Sequence, residues 1–200
     1  MTARNPAGTR QQLLQAAHRE VYEKGIAAAS LDAVLDRAHV TKGALYHHFD
    51  GKKALCLAVI DEVVGPMVLD NWAAPLRTTS DPVSAVQELI RGVGASAPAD
   101  VLRFGCPLNN LAQEVAAIDD DLRAGVYRVF AGWVAALRDA LARGQGAGTV
   151  RPAVDPEKVA RFIVGAIEGA ISLAKSARDA GVLRGNLEVL DSYLESLRPS

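Results

Sequence analysis

Apolar positions recur at helical spacing along most of the chain, and no segment alternates in the way that a β-strand does. The first apolar stripe predicts a helix from Thr9, as N-cap of a capping box, to Lys24, with Gly25 as its stop. Further start and stop signals predict helices at 30–38, 41–49, 52–72, 82–97, 107–117, 119–143, 155–177 and 186–197. The pattern therefore predicts an all-α chain of about nine helices, three short ones followed by longer ones.

Helices 30–38 and 41–49 are separated by a very short turn, which is typical of a helix-turn-helix. In that motif the second helix enters the major groove with its N-terminal residues toward the bases. The predicted DNA contacts are Ser30, Thr41, Lys42, Gly43, Tyr46, His47, Lys52 and Lys53. The alternative is a compact three-helix end in which the lysines are solvated and Tyr46 only packs against the preceding helix.

Charge is unevenly distributed along the sequence. Residues 1–55 contain eight Lys/Arg and five Asp/Glu, a net of +3, and the remaining residues contain fourteen and eighteen, a net of −4. A basic end on an acidic body suggests an anion-binding segment, although ordinary fluctuation in surface charge gives the same totals.

The segments "TRQQLLQAAHREVYEKG" and "SLDAVLDRAHVTKGALYHHFDGKKALCLAVI", within residues 9–60, resemble the DNA-binding domain of the TetR family of transcriptional regulators. The resemblance implies a DNA-binding domain at 1–51 and an all-α domain at 52–200 that binds a small-molecule effector and forms a homodimer. It also implies a repressor that reads a near-palindromic operator. One departure is the turn Ala38-His39-Val40, where the family usually has Gly at the position of His39, a site that often takes positive φ.

The predicted dimer interface consists of helices 155–177 and 186–197. Gly165 and Gly169 lie one turn apart and let another helix approach closely, and an apolar stripe runs along the second helix. The alternative is that this small-residue ridge packs within one subunit.

The segment "RFGCPLNNLAQE", residues 103–114, resembles one found in the NemR- and LmrA-like branch of the family. Cys106 precedes Pro107 and would be the N-cap of a helix, where the helix dipole lowers the pKa of a thiol. Cys106 is therefore a candidate thiol sensor with Lys175 as a candidate partner; the alternative is a cysteine that only fills space, as is expected for Cys56. The candidate effector-binding residues are Phe104, Cys106, Asn110, Tyr127, Phe130, Phe162 and Glu168.

Other functional classes find little support in the sequence. It contains no His/Cys set with metal-ligand spacing, no P-loop and no dinucleotide-binding glycine fingerprint, so we expect neither an enzyme nor a metal or cofactor. No apolar run is long enough to span a bilayer and no signal-type core follows the N-terminus, so we expect a cytoplasmic protein. The alternative function is a helical dimeric binding or scaffold protein without specific DNA recognition.

Overall fold

The fold was obtained as a computed structural model, which describes residues 6–95 and 99–199. The described part contains α-helices and no strand, which confirms the all-α prediction. The helices are α1 (Pro6–Ala28), α2 (Leu31–Ala38), α3 (Lys42–His48), α4 (52–72), α5 (Pro82–Ala95), α6 (Ala99–Phe104), α7 (Pro107–Val115), α8 (Asp120–Gly146), α9 (Pro156–Ala177) and α10 (Ala180–Glu195).

The described residues form two compact units. The first comprises those up to Met67 together with Pro107–Val129, and the second comprises Val68–Cys106 together with those from Phe130 onward. The predicted functional boundary between residues 51 and 52 remains a prediction, because a division by compactness does not test where DNA and effector bind.

The first unit has its core where α1, α2, α3 and the beginning of α4 meet. Leu13, Leu45 and Leu55 are fully buried there, each on the apolar stripe of its helix. Arg10 of α1 is ion-paired with Glu62 of α4, and its guanidinium lies 5.0 Å from the centre of the Phe49 ring. These contacts fix α1 against the segment that joins α3 to α4.

Helix α4 begins at Lys52 and ends at Trp72, as predicted. It contains one wider turn, the π-helical segment Ile60–Val64, between Lys52–Val59 and Gly65–Trp72. Such turns insert one extra residue and so rotate the side chains that follow it. The hydrophobic period of the sequence gave no sign of this insertion.

The second unit is built from α5, α9 and α10 with the later part of α8. Trp133 is 1% exposed and packs against Trp72, with ring centres 5.0 Å apart and ring planes tilted by 31°. Near the C-terminus, Arg198 donates to both carboxylate oxygens of Asp81, at 3.2 and 3.1 Å. Asp81 in turn caps α5 by accepting from the backbone N–H of Ser84 at 3.1 Å. None of the helices in the described part is long and apolar enough to cross a membrane.

Two predicted helix starts are wrong. Helix α1 begins at Pro6, so Thr9 lies inside it and is not its N-cap. Helix α10 begins at Ala180 instead of residue 186, because Asp179 caps it by accepting from the N–H of Gly181 at 2.7 Å. Asn186, which had suggested a helix start, instead donates from its side chain to the carbonyl of Val182 within the helix, at 2.8 Å.

A third difference is the short helix α6, which lies in a stretch where no helix was predicted. Its apolar run is too short to show a helical period.

Candidate DNA-binding surface and effector region

The turn between α2 and α3 has the compact geometry of a helix-turn-helix. His39 closes α2 in the left-handed conformation, with φ 53° and ψ 42°, in the position where the family usually has Gly. Its backbone N–H donates to the carbonyl of Asp36 at 3.3 Å, and that of Val40 donates to Leu35 at 3.2 Å. The His substitution therefore keeps the helix-ending hydrogen bonds, and its side chain is exposed to solvent.

Helix α3 is anchored by its apolar residues and exposes its polar ones. Leu45 is fully buried and Phe49, directly after the helix, is 5% exposed. Thr41 caps the helix by accepting from the N–H of Ala44 at 3.3 Å, which leaves its hydroxyl hydrogen free to donate. The predicted contact residues on the outer side are all exposed: Thr41, Lys42, Gly43, Tyr46 and His47.

The remaining predicted DNA contacts are placed differently from one another. Ser30 is exposed at the N-cap of α2, and its side chain makes no capping hydrogen bond. Lys52 opens α4 and donates to the backbone carbonyl of Ala27 at 3.1 Å. Lys53 is paired with the carboxylates of Asp119 and Asp121 at 2.9 and 2.7 Å, and its pKa is raised by these hydrogen bonds.

A buried carboxylate holds the first two helices together, and the sequence reasoning did not single it out. Glu20 of α1 is 1% exposed, lies 2.8 Å from the ammonium of Lys24 and accepts from the backbone N–H of Ser30 at 3.5 Å. Arg37 of α2 approaches it to 3.6 Å. The signal in the sequence was an acidic residue directly beside apolar positions of α1, with a basic residue four positions later.

A second unforeseen carboxylate is Glu114 of α7, which reaches the end of α1. Its two oxygens accept from the backbone N–H groups of Ile26 and Ala27, at 2.7 and 2.6 Å. Those groups point away from the helix because Gly25 breaks α1 with φ 82° and ψ 164°. The predicted helix stop at Gly25 was the available signal, since a broken helix leaves N–H groups that require acceptors.

In the second unit, Cys106 and Glu168 lie together. Glu168 of α9 is 6% exposed, and neither carboxyl oxygen has a nitrogen or hydroxyl partner among the described residues. Burial raises the pKa of Glu168 to about 7, and a hydrogen bond with the Cys106 thiol opposes this shift. Cys106 is half-buried, immediately before α7. Lys175 lies on the same face of α9 as Glu168, two turns further on. Its pairing with Cys106 remains a prediction.

The other candidate effector-binding residues differ in their exposure to solvent. Phe104 lies under the guanidinium of its neighbour Arg103, at 4.9 Å, and Tyr127 is 67% exposed. Asn110 and Phe130 are half-buried. Phe162 is 52% exposed, a position that favours an interface over an enclosed cavity. Their role in binding remains a prediction.

The two cysteines differ in their surroundings. Cys56 is buried in α4, and burial raises the pKa of its thiol to about 11. A thiol with this pKa is almost entirely protonated near neutral pH, which agrees with the expectation that Cys56 only packs.

An open groove of about 460 Å³ lies on the surface between α9 and α10. Phe162 and Tyr193 meet edge to face in it, with ring centres 4.8 Å apart. Leu173 and Val189, also in its lining, are 55% and 72% exposed. A side chain added at Gly169 would meet no atom within 4 Å, so the groove floor is open to a large partner.

Comparison with known proteins identifies the family. Residues 13–59 match the family described as "Bacterial regulatory proteins, tetR family". Residues 82–190, more than half of the chain, match "Tetracyclin repressor-like, C-terminal domain". The chain belongs to the TetR family of transcriptional regulators. The family resemblance of residues 9–60 is thereby confirmed.

Relatives within the TetR family match along most of their length. The transcriptional regulator AcuR of Cereibacter sphaeroides is 30% identical, over 82% of this chain and 75% of its own. The HTH-type transcriptional repressor DhaR of a Mycobacterium species is 27% identical, over 99% and 96%. A TetR transcriptional regulator from Chloroflexus aurantiacus superposes with a TM-score of 0.83 at 27% identity, over 94% of this chain and 95% of that one.

Proposed function

We propose that this TetR-family regulator is a repressor that binds a near-palindromic operator as a homodimer and is released by a small hydrophobic or electrophilic effector. The observation that carries the proposal is the exposed row of Thr41, Lys42, Tyr46 and His47 on α3, backed by the buried Leu45. That DhaR is named a repressor supports the sign of regulation. The proposal gives the chain no catalytic activity and places it in the cytoplasm with the DNA.

In the proposed complex α3 lies in the major groove. Thr41, Lys42 and the backbone at Gly43 would approach base edges, and Tyr46 and His47 would reach bases or phosphates one turn further on. Ser30 and the N-terminal end of α4 would contact the phosphate backbone, where free backbone N–H groups add to the charge of Lys52. Lys53 would have to exchange its carboxylate partners for a phosphate.

The proposed dimer forms through α9 and α10, whose outer face carries the open groove. Exposed apolar side chains around open glycine positions support this assignment, because such a face gains most by being covered. Two α3 helices must lie roughly 34 Å apart, one turn of DNA, to read both halves of an operator.

An effector would release the protein from DNA if it bound more tightly to a form of the dimer in which the two α3 helices are spaced differently. An effector shifts this equilibrium only by the difference in its affinity for the two states. The neighbourhood of Cys106 and Glu168 supports an effector site in the second unit, since a buried acid without nitrogen or hydroxyl partners lies beside a thiol. An electrophile would bond to Cys106 directly, with loss of the thiol proton.

The test of DNA recognition is fluorescence anisotropy with duplexes that the wild-type protein selects from a random-sequence pool. Tyr46→Ala should weaken binding at least tenfold, since a hydrogen bond from the phenol to a charged phosphate contributes about 1.5–3 kcal/mol. Tyr127→Ala is the matched control, because Tyr127 is also exposed, at 67% against 50% for Tyr46, but lies on α8. Equal losses in both variants, or selection of no duplex, would reject the assignment of the reading surface.

The test of the dimer is sedimentation equilibrium of Gly169→Glu against Gly146→Glu. Both glycines are exposed and have open space at the Cβ position, so neither side chain strains the subunit. The first variant should dissociate and the second should not. A dimer that persists in Gly169→Glu would move the interface elsewhere.

The test of the effector class is a titration of the protein–duplex complex with a small thiol-reactive electrophile such as N-ethylmaleimide. Release near one equivalent per subunit, absent in Cys106→Ser, is the expected result for a reactive sensor. Retained binding in the wild type would turn the search to reversible hydrophobic ligands.

A further inference from the structure

The first residues of one turn of backbone, residues 26–29, are held from two sides by charged side chains that are distant in sequence. Its first two N–H groups donate to the Glu114 carboxylate at 2.7 and 2.6 Å. At its other side the carbonyl of Ala27 accepts from the Lys52 ammonium at 3.1 Å. Ala27 thus donates its N–H to one charged side chain and accepts at its carbonyl from another.

We call the contacts of Glu114 and Lys52 with this turn the clamp. The clamp requires glycine at the break in α1. Gly25 has φ 82° and ψ 164°, which only glycine adopts readily. A Cβ at this position would come within 2.8 Å of the Glu114 carboxylate. The close approach of carboxylate and backbone therefore rests on the absence of a side chain, and the backbone is shaped to receive this acid.

Such a contact is stronger than an ordinary surface interaction. Each bond has a charged acceptor, and together they satisfy two N–H groups that the helix break leaves without helical partners. Glu114 belongs to the last turn of α7, which starts at Pro107 directly after Cys106 in the chain. Any movement of α7 is transmitted by this carboxylate to the turn that precedes α2.

We propose that Glu114 is a positioning residue for DNA binding, which clamps the turn 26–29 and through Ala27 fixes the Lys52 ammonium at the start of α4. Glu114 itself touches no DNA in this scheme. It sets the place from which Lys52 meets a phosphate and the angle at which the helix-turn-helix leaves α1. The inference rests on the proposed role of Lys52 as a phosphate contact.

The experiment measures duplex affinity by anisotropy, with the selected duplex, for wild type, Glu114→Ala, Glu114→Gln and Gln113→Ala. The alanine variant should lose about tenfold, because two charge-assisted hydrogen bonds disappear. The glutamine variant should recover part of the affinity, since its one carbonyl oxygen can accept from one of the two N–H groups. Gln113 is exposed on the same helix, so its replacement should change nothing.

Three further readouts separate positioning from loss of fold. The slope of log affinity against log salt should fall by about one per subunit in Lys52→Ala, because a phosphate contact is lost, and by less in Glu114→Gln, where Lys52 keeps its charge. In a double-mutant cycle, Glu114→Ala should cost much less when Lys52 is already alanine. Hydrogen exchange at the Ile26 and Ala27 amides should accelerate in both Glu114 variants.

Unchanged affinity of Glu114→Ala, or strictly additive effects with Lys52→Ala, would overturn the proposal. If Glu114→Ala does not fold, the glutamine variant decides by the same criteria. Failure of the wild type to select any duplex would instead overturn DNA recognition itself, and the positioning role with it.

Discussion

The buried carboxyl of Glu168 makes the stability of this protein depend on pH in a definite direction. It is 6% exposed, and burial raises its pKa from an ordinary value of 4.5 to about 7. When the chain unfolds the carboxyl regains water and its ordinary pKa. Between these two values the folded protein binds a proton that the unfolded chain has released, so the free energy of unfolding falls as pH rises.

The size of the effect follows from the shift. A pKa difference of this size corresponds to roughly 3 kcal/mol of stability lost between about pH 4.5 and pH 7, with no further change from this group above that range. Glutamine has nearly the same shape and cannot ionise. We therefore expect Glu168→Gln to stabilise the protein by up to about 3 kcal/mol at pH 8 and by little at pH 4.5.

The assay is urea denaturation followed by circular dichroism from pH 4.5 to 8.5, at one protein concentration because subunit association contributes to stability. The matched control is Glu188→Gln, which removes an exposed glutamate on α10. The difference between Glu168→Gln and wild type should grow with pH and then level off near pH 7. A difference that is constant with pH, or a destabilisation at pH 8, would refute the reasoning by showing that Glu168 is ionised and satisfied in the folded state.

The remaining predictions concern the first unit. Asp121→Asn should strengthen duplex binding by no more than about fivefold, because it removes one of the two carboxylates that pair with the Lys53 ammonium, and the gain should vanish in a Lys53→Ala background when both are measured by anisotropy. Gly25→Ala should lower the free energy of unfolding in urea by about 1–3 kcal/mol, since it strains the backbone and displaces Glu114. Glu20→Gln should lower the free energy of unfolding by about 1–3 kcal/mol, because the buried side chain then loses its charge-assisted contacts. An unchanged urea midpoint in Gly25→Ala would contradict the backbone strain, and an unchanged midpoint in Glu20→Gln would contradict the pairing.

Helices α2, α3 and α4 could be predicted from the sequence because the signals that start and end them are local. Ser30 and Thr41 are residue types that favour N-caps and each directly precedes a short helix, and the turn that joins the two helices at His39 is so short that few geometries are available. Helix 52–72 directly follows Asp50-Gly51, a pair that favours a turn. Each of these signals involves residues close in sequence, so one chain is enough to read them.

The clamps and the effector region could not be read in that way. Glu114 is separated from Ala27 by 87 residues, and only the fold brings them together. Glu168 was recognised as a candidate, but its burial beside Cys106 depends on the packing of a second segment against α9. The true start of α10 is set by the cap at Asp179, and the helix continues through Gly181, Gly185 and Asn186 despite their low helix propensity.

Ion pairing changes how the excess positive charge of residues 1–55 acts on DNA. Arg10, Lys24 and Arg37 are all within ion-pairing distance of carboxylates, and Lys53 has two. Lys42, exposed at the start of α3, has no carboxylate partner among the described residues. Attraction to phosphates at long range is therefore weaker than the count of basic residues suggests, because paired charges largely cancel beyond the Debye length. Recognition must then rest on short-range contacts made by α3. Lys42 can contact a phosphate without first breaking an ion pair. Lys53 can do so only if DNA displaces Asp119 and Asp121.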